Sequence, residues 1–322
     1  MCKILEDLIR EKIEEHLKRH QLLSNKQFGF RKGKSTTLQL LKVLDEWTEM
    51  LENGHNIDIL YTDFQKAFDS VPHNRLLLKL NSFGLCSNVL NWIKSFLTGR
   101  KQRVNIKGRK SLWAKVLGGV LQGSVLGPLL FILYINDILD NLTCTSYVYA
   151  DDMKVFNSIT TEEDKIVMQN DINTILHWTE DWLLKLNVQK CKVLQLHNTN
   201  KNPDTSKYYM KLNDEPHQLE VTHLERDLGV NIDENLTFEH HIYEAVKKAN
   251  RMVGILKYNF KDFNYTSFSL MYKSLVMSHL EYAQTVWSPF KLKYITMLEK
   301  VQRATKILPS LRNLTYSERL KN

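Results

Sequence analysis

The chain is poor in the residues that crosslink or punctuate a polypeptide. It has four cysteines in 322 residues, Cys2, Cys86, Cys144 and Cys191, with no C-x-x-C pair. No histidine stands near them at ligand spacing, which argues against a disulfide framework or a zinc site and fits a reducing, intracellular compartment, cytoplasm or nucleus. Only 6 prolines and 12 glycines occur, and no low-complexity tract or internal repeat is visible, so disorder is expected only at the ends. The N-terminal MCKILEDLIREKIEEHLKRH mixes charges throughout and lacks the apolar centre of a signal peptide. The most apolar run, VLGPLLFILYI at 125–135, is broken by Gly127 and Pro128 and is too short to span a bilayer, which predicts a soluble protein without a membrane partner.

Net charge is also missing from most of the chain. Lysine plus arginine outnumber acids 14 to 6 from Phe238 onward, and that segment carries the whole net charge of +8. A basic C-terminal third fits a polyanion partner or a solvated helical face, and composition does not choose between them. With 43% hydrophobic and 25% charged residues, the chain can bury a sizeable core in two or three subdomains.

Hydrophobic periodicity predicts a helix over residues 1–22 and another from Ser35 or Thr36 to about Asn53, with Leu38, Leu41, Leu44, Trp47 and Leu51 on its packed side. IDILYT at 57–62 reads as a strand, Pro72 opens a helix, and a further helix covers about 87–97. Two short strands flank Gly108, and a loop GGVLQGSVLGP leads into a very apolar helix. A hairpin around YVYADDMKVF, a long helix at about 162–186, a strand at 190–197, short strands over 208–232 and three helices after 238 complete the pattern. Strands gathered in the middle and joined by hairpins predict an α+β sheet domain followed by a helical region, with the boundary near 235.

Asp151 and Asp152 form the only Asp-Asp pair, and Asp63 follows the strand 57–62. Alone, the pair is what a turn prefers, and Asp63 is an ordinary strand end. Brought together they would be costly, because two carboxylates about 4 Å apart repel by roughly 4 kcal/mol at an effective dielectric near 20. A fold gathering all three must protonate one or hold a hard cation, and oxygen-only donors favour Mg²⁺. The acids are 88 residues apart, so only tertiary structure can unite them.

YTDFQKAFDSV, GGVLQGSVLGPLLFILYIND and YVYADD, in this order, resemble the palm motifs of reverse transcriptases, closest to those of non-LTR (LINE-like) retrotransposons. QFGFRKGKST resembles that family's fingers motif and LNVQKCKVL its next palm motif. DLGVNIDENLTFEHHI and the run through YKSLVMSHLEYAQTVWSPF to LEKVQRATK look like its helical thumb and the region after it. The resemblance covers nearly the whole chain. It implies a right-hand polymerase fold, with partial fingers at 1–56, an antiparallel-sheet palm with the remaining fingers elements at 57–235, and a basic thumb and C-terminal region at 236–322.

The implied activity is RNA-directed DNA synthesis: addition of dNTPs to a primer DNA 3′-OH on an RNA template, with two Mg²⁺ ions for which Mn²⁺ could substitute. Asp63, Asp151 and Asp152 match the metal-holding acids, and Asp151 is expected to matter more than its neighbour. Arg31, Phe64, Phe68, Gln122 and Gly123 match nucleotide-contacting positions, with Phe68 as an aromatic gate against a ribose 2′-OH. Lys190 matches a proposed proton donor to pyrophosphate, and a solvated strand-end lysine reads equally well. Lys293, Lys300 and Arg303 match a phosphate-gripping thumb face, with Leu298, Val301 and Leu308 packing behind. A ribonucleoprotein with the element's own RNA is compatible, and oligomeric state stays open.

Three departures from the pattern carry expectations. Leu121 stands where the family has proline, which should loosen the loop that aims Gln122. The upstream fingers block is missing, and there is neither an endonuclease domain nor a finished-looking C-terminus. These allow an alternative, a catalytically impaired remnant that only binds nucleic acid. A plain turn in an unrelated fold is the third reading.

Overall fold

The computed structural model describes residues 2–197, 206–212, 215–260, 264–303, 308, 311, 313–315 and 318. In chain order the first elements are α1 (Cys2–Arg19), α2 (Thr36–Glu52), β1 (Asn56–Thr62), α3 (Ala67–Ser70), α4 (His73–Ser82) and α5 (Ser87–Leu97). A ribbon follows, made of β2 (Lys101–Gln102), β3 (Asn105–Ile106), β4 (Arg109–Lys110) and β5 (Ala114–Lys115). Then come α6 (Leu126–Tyr134), β6 (Thr145–Tyr149), β7 (Asp152–Ile159), α7 (Glu162–Trp182) and β8 (Lys192–Leu196). The remaining strands are β9 (Tyr209–Leu212), β10 (Glu215–Gln218), β11 (Glu220–Thr222), β12 (Leu224–Asp227) and β13 (Val230–Asp233). The last helices are α8 (Glu239–Asn259), α9 (Tyr265–Met271), α10 (Ser278–Glu281), α11 (Gln284–Trp287) and α12 (Leu292–Gln302), with a π-helical stretch Tyr272–Met277 joining α9 to α10.

Two compact units divide at Thr222/His223 rather than near 235, because the β12–β13 hairpin clusters with the helices that follow it. In the first unit a five-stranded sheet runs β11-β8-β1-β7-β6, antiparallel except for β11 beside β8. The central strand β1 is the most buried, as a β-branched and apolar strand covered on both faces should be. Ile57 and Ile59 point to one face, where Phe156 meets the Trp47 ring of α2 edge-on at 5.7 Å. Leu60, Val155 and Val193 belong to the larger core shared with α4, α6 and α7.

The packed side of α2 differs from expectation. Leu40, Val43 and Trp47 are buried, whereas Leu38 and Leu41 are 48% and 37% exposed. The two leucine rows lie one position apart on the helical wheel, so periodicity left the rotation open and Trp47, common to both, seats the helix on the sheet. In α1, likewise, Ile13 and Leu17 are buried while Ile4, Leu5 and Leu8 are exposed. The half-turn near its start is held differently: the buried Glu6 carboxylate accepts from the backbone N–H groups of Val125 (2.8 Å) and Leu126 (3.3 Å). An acid at the positive end of α6 satisfies two otherwise orphan donors there.

α6 is apolar all round and accordingly buried all round, with Pro128 tolerated in its first turn. At its far end lies a buried cation. The Lys79 ammonium donates to the Tyr134 carbonyl (2.5 Å) and to Asp137, and it lies 3.8, 4.5 and 5.0 Å from the Trp182, Trp178 and Tyr134 ring centres. Trp178 and Trp182 are therefore structural, in keeping with their i,i+4 spacing on α7. Burial lowers the Lys79 pKa from 10.5 to about 8, although Asp137 opposes that shift. Among the described residues, no helix is long and apolar enough to cross a membrane.

Because the folded-state pKa lies below the unfolded one, the unfolded chain holds more protons between those values and stability rises with pH there. The wild type should therefore gain on Lys79→Met as pH rises from 8 toward 10.5, by up to about 3 kcal/mol across the window. Denaturant unfolding of both proteins at several pH values measures this, and parallel curves would contradict it.

Candidate active site

Asp63 is presented by the register of the sheet. Thr62, the last residue of β1, pairs with Met153, so the next step along the ladder brings Asp63 alongside the start of β7 at Asp152. The β6–β7 hairpin closes at the Tyr149–Asp152 pair, leaving Ala150 and Asp151 as its two-residue tip. The three acids thus lie at the same end of three strands. Burial raises the Asp151 carboxyl above the usual aspartate range, and the Asp63 charge raises it further, against its own backbone N–H. Asp63 is half exposed at 43%, and its Oδ2 lies 3.6 Å from the Lys190 ammonium.

The hairpin tip is strained and held from outside. Ala150 has φ 57°, a left-handed conformation that costs a residue with a Cβ. The buried Gln27 carboxamide oxygen accepts from Ala150 N (3.1 Å) and from Gly29 N (2.7 Å). Residues 26–28 also pair in parallel with β6, through Phe28 N to Val148 O (2.8 Å) and Val148 N to Lys26 O (3.0 Å). The QFGF stretch is thus a strap across the tip that carries Asp151. Gln27 and Gly29 escaped the sequence reading, which drew only Arg31 from this block. No local signal marks them: the contact that requires glycine, a Cβ on Gly29 only 2.3 Å from the Ala150 nitrogen, arises between distant segments.

The other expected site residues distribute unevenly. The Phe68 ring is half buried, stacked on Phe131 at 4.3 Å and edge-on to Phe30 at 6.0 Å, so it has both a core face and an outer edge. Phe64 is a correction: at 6% exposure its ring belongs to the apolar core and not to an open nucleotide-facing surface, while its backbone bridges to Leu186. It alternates inward because Asp63 before it faces out. Arg31 braces its own loop, Nη1 donating to the carbonyls of Ser24 (2.5 Å) and Gln27 (3.4 Å), and burial lowers its pKa.

Gln122 and Gly123 are exposed on a turn in which Ser124 N donates to Leu121 O (3.3 Å) and Gly123 takes φ 83°. Gln122 Nε2 donates to Asp69 Oδ1 (3.2 Å), while Val120 N and Gly119 N donate to the carbonyls of Phe68 (2.7 Å) and Val71 (2.8 Å). The loop is therefore pinned to the Phe68–Val71 segment without a proline at 121. Lys190 ends a 3-10 turn whose neighbours run beside Asp63, with Asn187 N donating to Asp63 O (2.7 Å).

In the second unit, Lys293 and Lys300 share α12, with Val301 and Leu308 buried and Leu298 partly buried. Lys293 is already engaged. It donates to Glu239 (3.2 Å) and lies over Tyr243 and Tyr294, and its hydrogen bonds with Tyr243 and then Glu239 raise its pKa. Lys300 and Arg303 are exposed, and residues 304–306 of the same basic run lie outside the described residues.

The chain belongs to the reverse transcriptase (RNA-dependent DNA polymerase) family, whose profile matches residues 1–224. It is similar to the RNA-directed DNA polymerase from mobile element jockey of Drosophila funebris, 32% identical over 74% of this chain and 26% of that protein. Its similarity to the Drosophila melanogaster jockey polymerase is 27% over 94% of this chain and 34% of that protein. These relatives place it on the non-LTR retrotransposon branch. The chain spans roughly a third or less of the length of these curated relatives. Among solved structures, apo telomerase from Candida tropicalis truncated from its C-terminal domain superposes with a TM-score of 0.51 at 11% identity, covering 72% of this chain and 44% of that one. That likeness shows the right-hand polymerase fold.

The family uses divalent metal ions. The donors here are carboxylate oxygens, the set a hard cation takes, and the burial and the Asp63 charge that together raise the Asp151 pKa are both costs a bound cation would offset. Among the described residues no three His, Cys, Asp or Glu side chains close around one point. The acids fit an ion that takes one or two carboxylates and completes its shell with water and phosphate oxygens.

Gly29→Ala should lower stability by about 1–3 kcal/mol, since the clash is with backbone that cannot swing aside. Gln27→Ala should cost about as much, by leaving two buried N–H groups unpaired. Thermal unfolding measures both; wild-type midpoints would refute the strap.

Proposed function

We propose that this chain carries out RNA-directed DNA synthesis, adding dNTPs to a primer DNA 3′-OH on an RNA template. The observation that carries the reading is the β1–β7 register, which ends β1 at the β6–β7 hairpin tip, so that Asp63 follows one strand where Asp151 and Asp152 join the other two, in a chain of this family. Asp63 and Asp151, with Asp152 beside them, would hold two Mg²⁺. Bound there, the ions supply the charge that steadies the attacking and leaving oxygens of an in-line displacement at the α-phosphate.

The protein's own part is positioning. Phe68, backed rigidly by Phe131, presents an edge that passes a deoxyribose and crowds a 2′-OH. Gln122, tethered to Asp69, aims the loop that meets the incoming nucleotide and template. Lys190 shields the Asp63 charge at 3.6 Å and is close enough to the acids to give a proton to departing pyrophosphate. Arg31 serves the nucleotide indirectly, by holding the loop that straps Asp151. Residues 1–56 with the ribbon after α5 would form the fingers, the rest of 57–222 the palm and the basic second unit the thumb, where Lys300 and Arg303 would meet phosphates.

Primer extension on an RNA template tests the reading. Asp151→Asn should lower extension by at least about a thousandfold. The same variant should raise the unfolding midpoint in EDTA. A carboxyl with a raised folded pKa loses stability as pH climbs through its window, so at pH 7 the charge is a cost that asparagine removes. Mg²⁺ should stabilise the wild type and not the variant. A parent that extends no primer but binds RNA would leave a nucleic-acid-binding remnant instead. Phe68→Val should admit ribonucleotides, read as the ratio of rNTP to dNTP kcat/KM, and an unchanged ratio would remove the gate.

A further inference from the structure

From Ser70 to Asn136, 67 consecutive residues, the chain has no aspartate or glutamate and ten lysines or arginines. Seven of the ten fall within residues 100–117, the ribbon between α5 and the Gln122 loop. The charge hides in the overall composition because the first 237 residues balance.

The ribbon is built to be stiff at its base and bare along its length. Arg100 donates to the carbonyls of Leu97 (2.8 Å) and Gly119 (3.1 Å), and Val116 N to Arg100 O (3.0 Å), which locks both legs to α5 and to the loop behind Phe68. The tip turns at Lys107 and Gly108, both with positive φ, the primed turn that suits a two-residue hairpin. Between base and tip, residues 101–115 are all exposed.

Two features are costly for a free ribbon. Lys101 and Lys115 are directly paired across the strands, an arrangement that repels. Apolar side chains stand in water, with Ile106, Leu112 and Trp113 at 67%, 92% and 58% exposure, and Arg103 lies 4.4 Å from the Trp113 ring centre. An isolated two-stranded ribbon has no core to offset these costs. A phosphodiester strand with unpaired bases answers both at once: phosphates neutralise the lysines, and base faces cover the ring and the aliphatic side chains. A duplex would satisfy the charge alone, since its bases are stacked inside.

We propose that ribbon 100–117 is a second nucleic-acid site, which holds single-stranded nucleic acid by its backbone with an unpaired base on Trp113. The identification of that strand as template rests on the polymerase reading; the binding itself does not.

The test is fluorescence anisotropy of the full chain in EDTA, where polymerisation is silent, so an inactive polymerase could pass and an active one could fail. Probes are single-stranded RNA, single-stranded DNA, a blunt duplex and phosphatidylserine vesicles. Replacing Lys101, Lys107, Lys110 and Lys115 by Gln should weaken single-strand binding about tenfold or more and flatten the log–log salt slope by about 3. Trp113→Ala should weaken it roughly tenfold, with little change on the duplex and recovery in Trp113→Phe. Loss on either single strand supports the proposal, and the RNA and DNA arms tell which one is held. Unchanged single-strand binding in the lysine variant would overturn it. So would loss confined to the duplex, a neutral Trp113→Ala, or an effect on vesicles alone. The ribbon buries nothing in the core, so unchanged unfolding midpoints serve as the folding control.

Discussion

The antiparallel register of β1 against β7 is the constraint on which the site depends. A one-residue slip would turn every side chain of β1 to the opposite face, taking Ile57 and Ile59 away from the Phe156–Trp47 layer and carrying Asp63 away from Asp151. The apolar face of the sheet and the acidic end of the strands therefore select the same alignment. Hydrophobic burial supplies the energy that holds the acids at one edge, and Asp151 carries the cost: burial first, and the Asp63 charge after it, raise its pKa.

Around this edge the fold places rigid supports instead of further chemistry. Gln27 and Gly29 strap the strained hairpin tip, Phe131 backs Phe68, and the backbone of Phe68–Val71 carries the Gln122 loop. α6 links them: Phe131 is part of it, Glu6 caps its start, and the aromatic box around Lys79 closes its end. A helix apolar on every side can have such roles only if each polar group at its termini finds a partner, which these contacts provide.

Much of the fold was legible in the chain. The helix 87–97, the strand 57–62 and the turn at Gly108 follow local chemistry closely, because capping, β-branching and glycine act within a few residues. Readings failed where a neighbour decided. Periodicity could not choose between adjacent leucine rows on α2, and the boundary moved from 235 to 222 because β12–β13 joins the helices. Phe64 looked like part of a nucleotide motif, but strand alternation next to an outward aspartate sends it into the core. Gln27 went unnoticed since a glutamine has no periodic signature, and its partner is 123 residues away.

The sequence by itself determined which groups are available: three aspartates, an aromatic five residues after the first, a glutamine in a glycine-bearing loop, and the ordered blocks that mark the family. Those depend on residue identity and short spacing. Tertiary structure alone decided which of them lie together, that Arg31 and Lys293 are already occupied, and that a run of exposed cations stands on a ribbon in the body of the chain. The reason is physical: local rules act over a helical turn or a strand pair, while charge proximity and burial arise only when distant segments pack.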